Sequence, residues 1–297
     1  MEKVSIIIPC YNQSKYVIDA IESAAAQTYP EIEIVCINDG STDETSEIIT
    51  GITPKFKQML FLDQKENKGV VKARNLAISK STGAYILPLD ADDTIEPDYV
   101  EKAVKILQNN PEIGVVYCKA RYFGSKQGIW KLPEFNKDEM LYTNHVFVSA
   151  LFRKSDFEKL GGYKEYMNDG YEDWDLWLSF LENGFKFHQI DEFLFNYRQY
   201  KEESRTSKIT KTQMDNIYKN IISHHFPLFL EEKSFIDKVF RGQLKKLNKC
   251  KKLFKIMLFT AIAEFAALIA VLFLLIWTYI MNRKIPFFSD LYENIRK

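Results

Sequence analysis

Four clusters of polar side chains have the types and spacing to do chemistry. The first is Asp90-Ala91-Asp92-Asp93, at the end of an apolar run. Carboxylates on a tight turn are hard oxygen ligands that suit Mg2+ or Mn2+, ions that complete their shell with phosphate oxygens. A cation held there would neutralise a departing diphosphate. The bland alternative is that these aspartates cap the helix starting near Pro97. Their place at the carboxyl end of a strand argues for the ligand reading.

The second cluster is Asn38-Asp39-Gly40-Ser41-Thr42-Asp43, a turn with Ser41 or Thr42 as N-cap of the next helix. Asp39 adds a carboxylate that could accept the imino hydrogen of a pyrimidine base. In the third, Asn67-Lys68-Gly69 opens a helix whose first-turn amides form an anion site, with Lys72 and Arg74 adding positive charge. The Walker spacing GxxxxGK[ST] is absent, and an amphipathic helix with a solvated basic face accounts for the same string. The fourth is Tyr171-Glu172-Asp173-Trp174-Asp175-Leu176-Trp177. Glu172 and Asp173 fall in a first helical turn, where carboxylates favour the dipole. Trp174, Trp177 and Leu178 have core-like helical spacing, and Asp173 is a candidate general base for an acceptor hydroxyl. His145, His188, His224 and His225 form no triad pattern with a Ser or Cys, so no catalysis is assigned to them.

The elements that must position these clusters alternate. Strand-like runs at residues 4–8, 32–37, 59–63, 84–90 and 113–118 are interleaved with helical patterns at 15–27, 42–49, 70–80 and 97–109. β-branched runs alternating with helices predict an α/β fold with a buried, mostly parallel, Rossmann-like sheet flanked by helices. In such sheets ligands bind outside the carboxyl ends of the strands, where the clusters at residues 11–12, 38–40 and 90–93 all fall. Residues 119–199 are less regular and read as a second half built onto the same sheet.

The 40 basic and 40 acidic side chains cancel, which argues against a nucleic-acid or strongly acidic partner. Cys10, Cys36 and Cys118 sit in or beside strand-like runs and read as reduced core thiols; no CxxC or zinc spacing occurs. The N-terminal apolar run is too short for a signal peptide, so a cytoplasmic catalytic portion is expected. Residues 256–280 carry a single charge, Glu264, and seven Lys or Arg precede them between Arg241 and Lys255. At ~1.5 Å per residue this run would span a bilayer with tilt. The basic flank places the N-terminal part in the cytoplasm and would attract anionic lipid.

The strings SIIIPCYN, NDGSTD, NKGVVKARN, LDADD, LGGY and YEDWDLW, in this order over residues 4–198, resemble glycosyltransferase family 2. The resemblance implies a GT-A fold and an inverting, metal-dependent transfer from a nucleotide-sugar, often a UDP-sugar. Pro9, Tyr11, Asn12, Asp39 and Arg74 would hold the nucleotide. Asp90, Ala91 and Asp92 would form the DxD turn, with Asp92 the leading ligand of Mn2+ or Mg2+ and Asp90 its partner. Gly161, Gly162, Glu172 and Trp174 would lie on the acceptor side, with Asp173 as base. A His that many members carry after the string Tyr-Arg is missing here, where Tyr197-Arg198 continues Gln199-Tyr200, and residues 201–208 are polar enough for a lid.

The expected organisation is a catalytic domain over residues 1–208, with a nucleotide half to about 118 and an acceptor half from 119. A basic helical region at 209–255, a membrane-spanning or membrane-associated helix at 256–280 and a short tail at 281–297 would follow. The acceptor would be a saccharide or lipid-linked saccharide, the membrane lipid a further partner, and the product a surface polysaccharide or glycoconjugate. Two other readings are a membrane-anchored binding module without turnover and a sugar-1-phosphate nucleotidyltransferase. The second would need a Gly-rich, Arg-containing loop after the first strand, which Pro9-Cys10-Tyr11-Asn12 does not supply.

Overall fold

A computed structural model describes residues 1–200 and 209–231. The chain divides into two compact units, Met1–Thr210 and Lys211–Lys297. The first holds a nine-stranded sheet in the order β3-β2-β1-β4-β8-β6-β9-β5, with β7 paired to β6. The strands are β1 Val4–Cys10, β2 Ile32–Asp39, β3 Met59–Gln64, β4 Tyr85–Pro88, β5 Thr94–Ile95, β6 Ile113–Gly124, β7 Gly128–Trp130, β8 Leu151–Arg153 and β9 Lys186–Gln199. Helices α1 Val17–Ala25, α2 Thr45–Ile52, α3 Val70–Lys80, α4 Tyr99–Asn109, α5 Lys154–Lys159 and α6 Glu172–Glu182 connect them. In the second unit the described helices are α7 Lys211–His224 and α8 Phe226–Glu231.

Strands β1 to β4 pair in parallel, as do β6 and β9. The short strands β5, β7 and β8 run antiparallel to their neighbours, so the sheet is mixed. The crossover through α4 sets β6 two strand widths from β4, and β8 fills the gap. Ile6, Ile7, Ile8, Ile34, Val35 and Ile37 are fully buried, as expected where helices cover both faces. Each such side chain contributes about 1.5–3 kcal/mol. Cys10, Cys36 and Cys118 are buried free thiols in this core.

Helix α3 has the bounds its periodicity predicts, whereas α2 starts at Thr45 rather than residue 42. No helix among the described residues is long and apolar enough to cross a membrane. The 241–255 basic block, the 256–280 segment and the 201–208 loop lie outside the described residues.

Candidate active site

The loop after β1 and the loop after β2 are laced together at the carboxyl edge of the sheet. Asn12 adopts a left-handed backbone (φ 54°). Its N–H donates to Ser41 Oγ (3.0 Å), and its side-chain Oδ1 accepts from the Thr42 N–H (2.8 Å). The next two amides, of Gln13 and Ser14, donate to Thr45 Oγ1 and Asp43 Oδ2. Asp43 also accepts from the Thr45 N–H (3.1 Å), so Asp43, not Ser41 or Thr42, satisfies the start of α2. Ser41 and Thr42 are drawn away by Asn12. Pro9 is half-buried beneath this lacing and Tyr11 is exposed beside it.

Asp39 is buried, and its two oxygens accept from the backbone N–H groups of Lys68 and Gly69, each at 2.9 Å. Gly40 (φ +69°) lets this contact form, because a Cβ there would meet the backbone of Glu66 and Asn67 at 2.5 Å. The carboxylate read from sequence as a base contact also orders the loop that opens α3.

Asp90, Asp92 and Asp93 form a tight acidic turn after β4. One oxygen from each lies within 4.8 Å of the others. Burial, then the Asp90 charge, push the Asp92 carboxyl up; burial, then Asp92 and Asp90, push Asp93 up further. A divalent cation among these hard donors would offset that repulsion, so the residues fit one. Asp93 is fully buried and accepts from the Arg198 N–H (2.8 Å), which leaves Asp90 and Asp92 as the outward pair. The end of β9 closes over the turn. Arg198 donates through Nε to the Asp92 carbonyl (2.7 Å) and through Nη2 to Asp19 (2.6 Å), and the Tyr200 hydroxyl donates to Asp92 Oδ2.

Arg74 joins this turn to the second half of the domain. It is almost fully buried, donating through Nη2 to Asp90 Oδ1 (2.5 Å) and through Nη1 to Glu172 Oε1. Burial opposes its charge, but Asp90 and Glu172 outweigh burial and hold the guanidinium protonated. Arg74, which the family resemblance implies as a nucleotide contact, serves both carboxylates. The turn at Gly161 and Gly162 (φ +78° and +67°) ends α5 and delivers Tyr163 to this group. There the Tyr163 backbone exchanges two hydrogen bonds with the Asn75 side chain, and its ring lies 5.7 Å from the Arg74 guanidinium.

Glu172 and Asp173 open α6 behind Tyr171, whose backbone is left-handed (φ 59°). Asn12 and Tyr171 are the two non-glycine residues with positive φ among the described residues, and both lie at this edge, where strain is held in place by dense contacts. Asp173 is half-buried. Burial, then the Glu172 charge, push its carboxyl up to about 7, against the lowering effect of Arg74. Its Oδ2 accepts from Asn144 Nδ2 (3.0 Å) and its Oδ1 from the Trp174 N–H (2.8 Å). Trp174 is fully buried, its indole donating to the Met140 carbonyl (2.6 Å), so its ring packs in the core and does not face an acceptor.

Acidic groups from both halves therefore meet around Arg74. Sequence reading missed Asn144, Tyr200 and Tyr163, and passed over Asp93 as a support. Asn144 and Tyr200 lie in irregular stretches whose partners are remote in sequence. A hollow of about 580 Å3 lined by Glu2, Tyr85, Arg153 and Lys154 lies at the amino edge of the sheet, away from all of these groups.

Comparison with known proteins agrees with this fold. The chain is 29% identical to chondroitin synthase of Escherichia coli over 253 residues, 84% of this chain but only 35% of that protein. It thus spans about a third of that relative's length. Among solved structures, Staphylococcus aureus TarS in complex with UDP-GlcNAc aligns with a TM-score of 0.65 at 21% identity, covering 77% of this chain and 66% of that one. The mannosyltransferase PcManGT from Pyrobaculum calidifontis, in complex with GDP-Man and Mn2+, aligns with a TM-score of 0.59 at 18% identity, over 80% of this chain and 72% of that one. These likenesses establish a shared GT-A-type fold. The family model for glycosyl transferase family 2 matches residues 5–168, the span holding the acidic turn, Arg74 and the two loops laced to each other, and this chain is a member of that family.

Proposed function

We propose that this protein is an inverting glycosyltransferase that moves a sugar from a nucleotide-sugar to a hydroxyl of a saccharide or lipid-linked acceptor. The observation that carries the reading is Arg74, bonded at once to Asp90 of the acidic turn and to Glu172 beside Asp173. It sets a candidate base next to a candidate cation site. A UDP-sugar is the favoured donor, supported by the fold-neighbour TarS, which was solved with UDP-GlcNAc and with UDP.

Asp90 and Asp92 would hold Mn2+ or Mg2+, with Asp93 and Arg198 bracing the turn from behind. When bound, the cation would neutralise the diphosphate leaving group. Asn144 and the Trp174 N–H fix the Asp173 carboxylate so that one oxygen faces the acceptor hydroxyl and takes its proton as the acceptor oxygen attacks the anomeric carbon. A single displacement inverts that carbon. The laced loops at Asn12 and Asp39 shape the nucleotide side and exclude water.

Curated relatives include chondroitin and hyaluronan synthases, which supports a role in surface polysaccharide or glycoconjugate synthesis. The apolar run at 256–280 and its basic flank support membrane association with a cytoplasmic catalytic domain over residues 1–208. The test is a mass-spectrometric screen of UDP-, GDP- and dTDP-sugars with Mn2+ and membrane extract as acceptor. Release of nucleotide from one donor with mass gain on an acceptor is expected. UDP binding without turnover of any donor would leave a binding module.

A further inference from the structure

We propose that Trp130, Tyr197 and Tyr122 form an aromatic platform that holds a pyranose ring of the acceptor. The proposal rests on the glycosyltransferase reading above and adds where the acceptor saccharide sits. Strand register sets the three residues on one face. Tyr122 of β6 is opposite Tyr197 of β9, and Ala120 is opposite both Trp130 of β7 and Phe195 of β9. The Tyr122 and Trp130 rings stack at 5.8 Å with 20° between their planes, and the Tyr197 ring lies 4.8 Å from Trp130.

Buried tyrosine and tryptophan usually pair their polar tips. Here all three residues are only half-buried, and their indole N–H and phenol hydroxyls have no hydrogen-bond partner among the described residues and remain accessible. The group also borders both ends of the reacting centre. Tyr197 immediately precedes Arg198, whose N–H donates to Asp93 of the acidic turn (2.8 Å). On the other side Trp130 packs 6.0 Å from Phe147, in the loop whose Asn144 grips Asp173. Lys126 lies 4.7 Å over the Tyr122 ring, so Tyr122 supplies chiefly its hydroxyl while Trp130 and Tyr197 supply ring surface.

A pyranose has an apolar C–H face and a rim of hydroxyls. Half-exposed rings edged by free donors match both, in the manner of binding sites lined by aromatics with a few polar groups. The test is saturation-transfer NMR of the full chain with soluble two- to six-ring oligosaccharides of glucose, galactose and their N-acetylamino forms. Wild type is expected to bind at least one through ring C–H protons. Trp130→Ala should weaken that oligosaccharide about tenfold, and Trp130→Phe should recover most of the loss. UDP binding by the same variants reports that they are folded. Should the alanine variant lose UDP as well, Trp130→Leu, which keeps bulk without a ring, is expected to show the same saccharide loss. A wild type that binds no oligosaccharide of the panel, or ring-less variants that bind as wild type does, overturns the platform. Failure of the glycosyltransferase reading is seen separately, as absence of nucleotide-sugar turnover in the donor screen.

Discussion

At the scale of single residues, the proposed chemistry turns on Asp173. Burial and Glu172 push its carboxyl up to about 7, and a base must be ionised to work. Transfer should therefore rise with pH through an apparent midpoint near 7 and fall on the acid side as the carboxylate takes up a proton. The amide of Asn144 donates to the ionised form, so removing it disfavours that form. Asn144→Ala should move the acid limb to higher pH, read from kcat against pH. An unchanged midpoint would separate Asn144 from the base. Asp92 and Asp173 could be picked out as candidates from the sequence because a carboxylate on a strand exit or a first helical turn carries its own context. Asn144 could not, since nothing in Thr143-Asn144-His145 points to a partner 29 residues away.

At the scale of elements, Arg74 is instructive. It stands between Val71 and Ile78 on the apolar stripe of α3, all three buried. The sequence predicted the helix at residues 70–80 but read Arg74 as charge for an anion site or a solvated basic face; its burial and its partners came only with the fold. Arg74→Met would leave buried Glu172 and Asp90 without their counter-charge. It should destabilise the domain by about 3–5 kcal/mol, read as a lowered Tm or denaturant midpoint. Gly40 is the matching case for the loops. The Asn38-Asp39-Gly40 turn was readable, whereas its docking on residues 66–69 was not, because that contact pairs two irregular segments. Gly40→Ala would combine a left-handed alanine with a backbone clash, costing roughly 1–3 kcal/mol. It should also weaken nucleotide binding by loosening the Asp39 contacts; calorimetric titration with UDP would measure both affinity and active fraction.

At the scale of the whole molecule, the alternation of apolar strands and helices in the first 118 residues was enough to give the parallel strands β1 to β4 and to put the candidate clusters at their carboxyl edge. The rest resisted because the short antiparallel strands, β5 in the first half and β7 and β8 in the second, hold two or three residues each, too few for periodicity to register. The membrane anchor proposed for residues 256–280 belongs to this scale. A chain truncated after Arg241 is expected to stay in the supernatant with anionic vesicles while the full chain sediments. Co-sedimentation of the truncated form would move membrane binding to the catalytic domain.

The central claim is that carboxylates from both halves of the domain converge so that Asp173 can deprotonate an acceptor beside a cation-bound sugar diphosphate. Single-turnover transfer from the donor found in the screen, compared between wild type and Asp173→Asn at saturating donor, tests it most directly. The account predicts that the variant binds UDP as wild type does and transfers sugar about 100-fold or more slowly. Transfer by Asp173→Asn at the wild-type rate would contradict it.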